Sequence, residues 1–197
     1  MKKTGTWNSF FAKTKGAPPR DQVVYAVKYV VDKGSALDLG AGTLRDSKYL
    51  LEQGFQSVTA VDMEPVVAEY GQELNDDRLN VVISSFDDFD FPVGTYDLVT
   101  AQYALPFSSK ENFSAMFSKL LASLKPAGVF TGTFFGPNDS WNRPDSKRVH
   151  VFLSKDEVLR LFEGFKIQRT IEEEEDGAAV GEAIKHWHKI HVVAKRI

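Results

Sequence analysis

The sequence predicts an α/β fold with a mostly parallel sheet. Apolar, strand-like runs alternate with helical segments over the first two-thirds of the chain, the pattern of repeated strand-helix units. The last two strand-like runs follow each other with no helix between them. The chain has 197 residues, of which 43% are hydrophobic, enough for one core without disulfide bonds or metal ions. We therefore expect a single domain over residues 1–197.

The helical segments are marked by apolar periodicity and by capping residues. Residues 21–31 place their valines on one stripe and follow Pro18 and Pro19, which suit the first turn of a helix. Ser154 and Glu157 form a capping box, a specific signal of a helix start. The predicted helices cover residues 21–31, 43 or 45 to 53, 65–74, 110–124 and 154–162.

The strand-like runs are short, apolar and bounded by glycine, proline and acidic residues. They cover residues 36–39, 58–61, 79–83, 96–101, 127–135, 166–172 and 187–195. An acidic run at residues 172–176 (EEEED) joins the last two. Adjacent like charges repel and stay in water, so we expect a solvated turn there. Two consecutive strands without a crossover helix must be antiparallel.

Composition excludes several classes of function. The chain has no cysteine, which excludes a thiolate nucleophile, a thiolate zinc site, an iron–sulfur cluster and a disulfide framework. The net charge of −3 gives no basic excess for binding nucleic acid. No apolar run approaches the roughly 18 residues of a membrane span, and the N-terminus lacks the apolar core of a secretory signal. We expect a cytoplasmic protein, monomeric or homodimeric, that binds neither nucleic acid nor membrane.

A glycine turn, Gly40-Ala41-Gly42, follows the first predicted strand and opens a helix. Glycines there let the backbone turn sharply and approach a ligand closely, although a plain strand-to-helix turn has the same sequence. Asp38, just before the turn, would repel a phosphate but can bind an ammonium group. Arg45 occupies the third glycine position of the dinucleotide fingerprint and is bulky for that role. The sequence therefore favours a cationic or zwitterionic ligand.

A second acid, Asp62, closes the second predicted strand 22 residues after Gly40. This is the spacing of a carboxylate that accepts both hydroxyls of a ribose, whereas a lone aspartate at a strand end is more often a turn former or a helix cap. Ser85, Phe86 and Asp87 follow the third strand, where polar groups and an aromatic ring could bracket an adenine. Asp87 is equally a solvated loop acid.

Together these residues resemble the class I S-adenosylmethionine-dependent methyltransferases over nearly the whole chain. The ordered set is Asp38, Gly40 and Gly42, then Asp62, then Ser85 to Asp87, then Tyr96-Asp97-Leu98-Val99, then Leu124 to Val129. The resemblance implies a Rossmann-like three-layer sandwich with a seven-stranded sheet in the order 3-2-1-4-5-7-6 and strand 7 antiparallel. Residues 42–47 and 186–195 are similar to the tellurite-resistance and thiopurine methyltransferase-like branch.

The resemblance also implies S-adenosylmethionine as cofactor, S-adenosylhomocysteine as product and a small-molecule methyl acceptor. Asp38 and the glycine turn would hold the methionine portion, Asp62 the ribose and Met63 the adenine, while Ala101 and Gln102 would lie beside the sulfonium. The implied cofactor contacts are Asp38, Gly40, Ala41, Gly42, Arg45, Asp62, Met63, Ser85, Phe86, Asp87, Ala101 and Gln102. Residues 1–33 would form a cap, 34–135 the cofactor-binding core and 136–197 the acceptor side.

Two aromatic segments are candidates for covering the acceptor pocket. The N-terminal residues Trp7, Phe10 and Phe11 could fold over the cofactor as an apolar flap or pack on the outer helices. The loop after the fifth strand borders the ligand crevice of such folds. Its lid candidates are Trp141, Asn142, Arg143 and Arg148.

A general base is needed when the acceptor atom is an amine or a hydroxyl, and not for an anion. The candidates are Tyr103, on the acceptor side, and His186 or His188. The two histidines share one face of a strand and His191 points to the other, so we expect no metal site. Histidines 186 and 188 then lie at the pocket rim or on an exposed polar face.

Two other functions remain open from the sequence. One is a nicotinamide-dependent oxidoreductase, against which Asp38, Arg45 and the terminal hairpin count. The other is a regulatory protein that binds S-adenosylmethionine without turnover.

Overall fold

A twisted seven-stranded sheet in the order β3-β2-β1-β4-β5-β7-β6 forms the centre of the molecule. The structure is a computed structural model that describes residues 5–144, 151–179 and 182–197. The strands are β1 (Ser35–Leu39), β2 (Ser57–Asp62), β3 (Leu79–Ile83), β4 (Tyr96–Ala101), β5 (Leu124–Phe135), β6 (Phe165–Ala179) and β7 (Glu182–Arg196). β7 runs antiparallel to both of its neighbours, β5 and β6. The expected α/β fold, strand order and antiparallel seventh strand are confirmed.

Helices cover both faces of this sheet. They are α1 (Gly5–Thr14), α2 (Asp21–Val27), α3 (Arg45–Glu52), α4 (Val66–Leu74), α5 (Phe113–Ala122) and α6 (Lys155–Arg160), with a short 3₁₀ turn at Leu105–Phe107. Leu37 of β1 packs with α5 in one core, and its neighbour Ala36 packs with α2 and α3 in the other. Successive strand residues face opposite sides, so alternation along β1 builds the three layers.

The second helix ends earlier than its valine stripe predicts. From Lys28 to Val30 the amides bond the carbonyls three residues back, a 3₁₀ tightening that closes α2. Val31 is consequently 75% exposed. The capping box of α6 forms as predicted, since Ser154 and Glu157 each accept from the other's backbone amide. Within the residues that the structure describes, no helix is long and apolar enough to cross a membrane.

The acidic run at residues 172–176 is part of strand β6, so the expectation of a solvated turn there is wrong. Each acid lies opposite a residue of β7 and alternates between the two faces of the hairpin. On one face Lys189 Nζ lies 3.2 Å from Glu173 and 2.5 Å from Glu175. On the other, His188 Nε2 lies 3.1 Å from Glu172. Cross-strand basic partners therefore offset the repulsion that the sequence predicts.

The aromatic N-terminal segment is helix α1 rather than an irregular flap. Phe11 is buried with Ala41 and Leu44, so it packs into the core of the neighbouring helices. Trp7 instead meets Phe107 edge-on, with ring centroids 5.3 Å apart. The helix therefore combines the two alternatives, one aromatic side chain packing inward and another reaching over the carboxyl end of β4.

Candidate functional site

A cavity of about 720 Å³ opens where β1, β2, β3 and β4 end, the place where ligands bind in open α/β sheets. Its volume falls within the roughly 300–1,000 Å³ of small-molecule pockets. Most of the site residues predicted from the sequence line it. These are Trp7, Phe10, Phe11, Asp38, Gly40, Ala41, Gly42, Arg45, Asp62, Met63, Ser85, Phe86, Asp87, Gln102, Tyr103 and Trp141.

The glycine turn forms the floor of one end of the cavity. Gly40 has φ +76°, and a Cβ added there would lie 2.5 Å from the Cβ of Ala104. The amides of Gly40 and Ala41 both donate to the carbonyl of Val61, and that of Gly42 donates to Asp62 Oδ2 at 2.9 Å. These amides are therefore already paired within the protein. The turn therefore offers a ligand close approach and carbonyl oxygens.

Asp38 is a buried carboxylate beside that turn, only 3% exposed. It accepts a hydrogen bond from the Ser47 hydroxyl at 2.6 Å, at the start of α3. Burial and, to a smaller extent, the nearby Asp46 carboxylate raise the pKa of Asp38 to about 7, although the Ser47 bonds and Arg20 oppose the shift. A charged Asp38 is thus costly unless a cation sits next to it.

Arg20 is a cavity residue that the sequence does not predict. Its guanidinium carbon lies 4.3 Å from the centroid of the Tyr103 ring, and its Nε lies 3.7 Å from the carboxylate of Asp46. The amide of Arg20 also donates to Asp46 at 2.8 Å, which fixes the entry to α2 against α3. No local motif signals this contact, because the two residues are 26 positions apart.

Asp62 stands at the end of β2, 8% exposed. Its two carboxylate oxygens accept the amides of Gly42 at 2.9 Å and Glu64 at 3.0 Å. Burial raises the pKa of Asp62 and these backbone bonds oppose the rise. Each oxygen keeps a further lone pair for a ligand hydroxyl. Asp62 thus serves as a turn former, as the alternative expectation has it, and still faces the cavity.

Met63, Phe86 and two polar side chains continue this end of the cavity. Met63 is 52% exposed, unusual for an apolar side chain that borders a pocket. Ser85 donates its hydroxyl hydrogen to Asp88 at 2.6 Å, and Asp87 accepts from Asn112 at 3.2 Å. The apolar side chains are therefore open to a ring, while the polar ones already have protein partners.

The opposite end of the cavity is an aromatic chamber. We define it by five lining side chains, Tyr103, Phe107, Phe135, Trp141 and Trp187. Seven pairs of these rings meet with centroids 5.4 to 6.4 Å apart and interplanar angles of 58° to 90°. The sequence predicts only Tyr103 and Trp141 of the five. Phe135 and Trp187 reach the site from β5 and β7, and Phe107 lies in the 3₁₀ turn after β4.

Gln102 lies between the two ends and is held by a buried hydrogen-bond network. Its amide nitrogen donates to Thr131 at 3.1 Å, and Thr133 donates to its oxygen at 2.9 Å. The one proton of Thr133 is thereby used, so His191 must donate its Nδ1 hydrogen to Thr133 across 3.0 Å. Burial lowers the pKa of His191 to about 4, which keeps that ring neutral.

Five of the predicted residues that the structure describes lie outside the cavity wall. Ala101 is fully buried within β4, and Asn142 and Arg143 are not among the lining residues. His186 pairs with Glu174 and Asp176 on the other face of β7, and His188, 3% exposed, accepts the Asn138 amide there. These two histidines therefore do not reach the acceptor side, because Trp187 and Lys189 occupy that face. Arg148 lies outside the described residues.

Comparisons with known proteins find a domain model that matches part of the chain and solved structures that share its fold. Residues 36–128 match a family model described as a methyltransferase domain. A 1,6-didemethyltoxoflavin-N1-methyltransferase from Burkholderia thailandensis, solved with 1,6-didemethyltoxoflavin and S-adenosylhomocysteine, is 22% identical with a TM-score of 0.71, covering 96% of this chain and 82% of that one. TehB from Haemophilus influenzae is 16% identical with a TM-score of 0.77, covering 98% of this chain and 67% of that one.

An S-adenosylmethionine-dependent methyltransferase from Mesorhizobium loti is 16% identical with a TM-score of 0.65, and the match covers 88% of this chain and 96% of that one. No curated protein matches the chain in sequence.

Proposed function

We propose that this chain is an S-adenosylmethionine-dependent methyltransferase that methylates a small molecule. The match of residues 36–128 to a methyltransferase domain and the strand order of the sheet support this proposal. One observation carries the proposal. A single cavity joins the buried acids Asp38 and Asp62 to the aromatic chamber past Gln102 and Tyr103. We assign residues 1–197 to one methyltransferase domain.

The methionine end of the cofactor fits the charged end of the cavity. Its ammonium group would pair with Asp38, whose buried carboxylate needs a neighbouring cation. Its carboxylate would pair with Arg20, a cation that lines the cavity near Asp38. The Nε of Arg45 is buried without a partner among the described residues, which supports a ligand acceptor at this place. The ammonium and carboxylate groups of one zwitterion would thus provide partners for Asp38, Arg20 and Arg45.

The adenosine end fits the cavity beyond Asp62. The open lone pairs of that carboxylate suit the two ribose hydroxyls. Met63 and Phe86 provide apolar surfaces for the adenine ring, and both line the cavity. The amides of the glycine turn are occupied, so in this proposal Asp38, Arg20 and Asp62 supply the polar recognition.

When bound, S-adenosylmethionine supplies an activated methyl group, which moves to a lone pair of the acceptor as the carbon–sulfur electron pair returns to sulfur and any proton on that acceptor atom leaves. The protein has to align the acceptor and exclude water. Gln102 is held by its hydrogen-bond network between the two ends of the cavity. Trp7 of α1 covers the aromatic chamber by packing on Phe107. Tyr103, which lines the wall, is the candidate for receiving the acceptor's proton, a role that it can perform only in its phenolate form.

Calorimetry with S-adenosylmethionine, S-adenosylhomocysteine and NAD tests the proposal. We expect both adenosyl ligands to bind and NAD not to bind. Binding of NAD alone would overturn the proposal in favour of an oxidoreductase. Turnover is then measured by mass spectrometry over thiols, amines, phenols, carboxylates and metalloid oxyanions. Cofactor binding with no methylated product in that panel would favour the regulatory protein.

A further inference from the structure

We propose that the methyl acceptor is a neutral, electron-rich planar aromatic molecule with one hydrogen-bonding ring substituent, bound in the aromatic chamber. This inference rests on the proposed function and adds the chemical class of the acceptor. Three independent features of the chamber carry it: the geometry of its rings, the cations placed against them and an unpaired hydroxyl.

The rings of the chamber are arranged to receive another ring. Among the five described side chains no pair stacks face to face, since all measured pairs are tilted or edge-on. In an edge-to-face pair the edge of one ring covers the face of the other, but all five side chains still line the cavity, so part of their surface is open to a ligand. A flat ligand can occupy this open surface with both stacked and edge contacts, whereas a compact inorganic oxyanion makes neither.

Two cations lie against these rings. Lys185 Nζ, fully buried and paired with Asp139, is 4.1 Å from the centroid of Trp187 and 4.4 Å from that of Trp141. Lys185 does not line the cavity, whereas both tryptophans do, so the cation lies behind the indoles. Arg20, which itself lines the cavity, lies over Tyr103. A cation draws π-electron density toward itself, so the remaining ring surface favours an electron-rich partner.

The cavity wall carries an unsatisfied polar group at the residue that follows Phe107. Ser108 is 3% exposed and lines the cavity, and its hydroxyl has no hydrogen-bond partner among the residues described. Leaving a buried hydroxyl unpaired costs roughly 1–3 kcal/mol, which a ligand hydroxyl or ring nitrogen would offset. Lys189, the cation of the β7 wall, is already paired with Glu173 and Glu175. The wall thus favours a neutral ligand with one polar substituent.

The test uses 2-naphthol as probe, with decahydro-2-naphthol and naphthalene as matched compounds that lack the aromatic ring or the hydroxyl. All three tryptophans of the chain line the cavity, so quenching of their fluorescence reports binding. We expect the protein loaded with S-adenosylhomocysteine to bind 2-naphthol at least about tenfold more tightly than either compound. Equal affinity for decahydro-2-naphthol would overturn the aromatic assignment.

Variants distinguish the contribution of the aromatic rings to binding from that of the Ser108 hydroxyl. Trp187→Leu and Phe107→Leu should each weaken 2-naphthol binding about tenfold, and Ser108→Ala should remove the preference for 2-naphthol over naphthalene. Phe89→Leu, an aromatic change outside the cavity, should alter neither. Unchanged binding in the Trp187 and Phe107 variants would overturn the proposal. Binding of S-adenosylhomocysteine is measured first, and the 2-naphthol titration is then repeated without it. A protein that does not bind the cofactor is thereby distinguished from one whose chamber does not bind the aromatic probe.

Discussion

The guanidinium of Arg20 lies over the ring of Tyr103, 4.3 Å from its centroid, and its other neighbour is the carboxylate of Asp46. One side chain thus touches both the charged end of the cavity and the aromatic chamber. If Arg20 holds the cofactor's carboxylate, a bound cofactor also fixes the cation beside Tyr103. This contact links the two binding regions through a single residue.

Replacing Arg20 by Gln should weaken S-adenosylhomocysteine binding by roughly tenfold or more, because a charge-assisted hydrogen bond is lost. Binding of 5′-methylthioadenosine, which lacks the amino-acid end, should be almost unchanged. Calorimetry on both ligands measures the difference, with the exposed Arg160→Gln as control. Equal weakening of the two ligands would show that Arg20 does not contact the carboxylate.

The affinity for S-adenosylhomocysteine should rise between pH 6 and pH 8 and then level off. The pKa of Asp38 is about 7 in the free protein, so below that pH its carboxyl is largely protonated and cannot pair with an ammonium group. The groups facing it are Asp46, Arg20 and Ser47. Calorimetry across this pH range should show a flat, weak affinity for Asp38→Asn; a rise that persists in this variant would assign the titration elsewhere.

Asp38 should also make the free protein less stable as the pH rises from about 4 to 7. Its folded pKa lies above the ordinary unfolded value of about 3.9, so the folded state holds the proton more tightly in this window. The raised pKa values of Asp46 and Asp62 act in the same direction. Urea denaturation should show a shallower pH dependence for Asp38→Asn than for the wild type.

Replacing Asp62 by Ala should lower the affinity for S-adenosylhomocysteine roughly 10- to 100-fold, since charged hydrogen bonds contribute about 1.5–3 kcal/mol. Asp77→Ala, an exposed acid that does not line this cavity, serves as control. Circular dichroism checks that the variant remains folded without the bonds from Gly42 and Glu64. Unchanged affinity would contradict the ribose role.

Alanine substitutions at two glycines distinguish the cost of backbone strain from the cost of a steric clash. Gly54 has φ +91° with nothing within 4 Å of an added Cβ, so Gly54→Ala should cost only about 1–2 kcal/mol of left-handed strain. Gly40→Ala has similar strain plus the contact with Ala104, and should cost more. Urea unfolding compares the two variants, and only Gly40→Ala should also impair S-adenosylhomocysteine binding. Equal losses would mean that Ala104 moves aside freely.

Removing the capping hydroxyl of Ser154 should destabilise the protein by about 1 kcal/mol, the usual value for such a cap. Its hydroxyl accepts from the amide of Glu157 at 3.4 Å and its amide donates to that side chain at 2.8 Å. Ser154→Ala is compared with Glu163→Ala, an exposed position beyond α6, by urea denaturation. A loss no greater than that of the control would show that α6 does not depend on its capping box.

Local sequence signals predicted the elements that local chemistry determines. The capping box at Ser154 and the strand at Leu79–Ile83 appear where their residues indicate. Asp38 and Asp62 lie directly after apolar strands, and parallel strands bring such ends to one edge of a sheet. That placement of the acids could therefore be foreseen from their order along the chain.

The remaining site residues depend on contacts between distant segments. Trp187 and Lys189 reach the cavity only because β7 inserts between β5 and β6 with one particular register. Ion pairs of Lys189 with Glu173 and Glu175 accompany that register. The acidic run that contains these two glutamates indicates a turn when its sequence is taken alone. Arg20 likewise gains its place from Asp46, and neither partner identifies the other locally.

The acidic stretch of β6 affects whether this strand can pair with another copy of the protein. This strand is one border of the sheet, where unpaired backbone groups could accept a strand from another copy. Five consecutive carboxylates on that border would face the same five in an approaching copy, and their mutual repulsion disfavours edge-to-edge joining. The acids that help to hold the hairpin together within one molecule thus also disfavour the pairing of this strand with another copy.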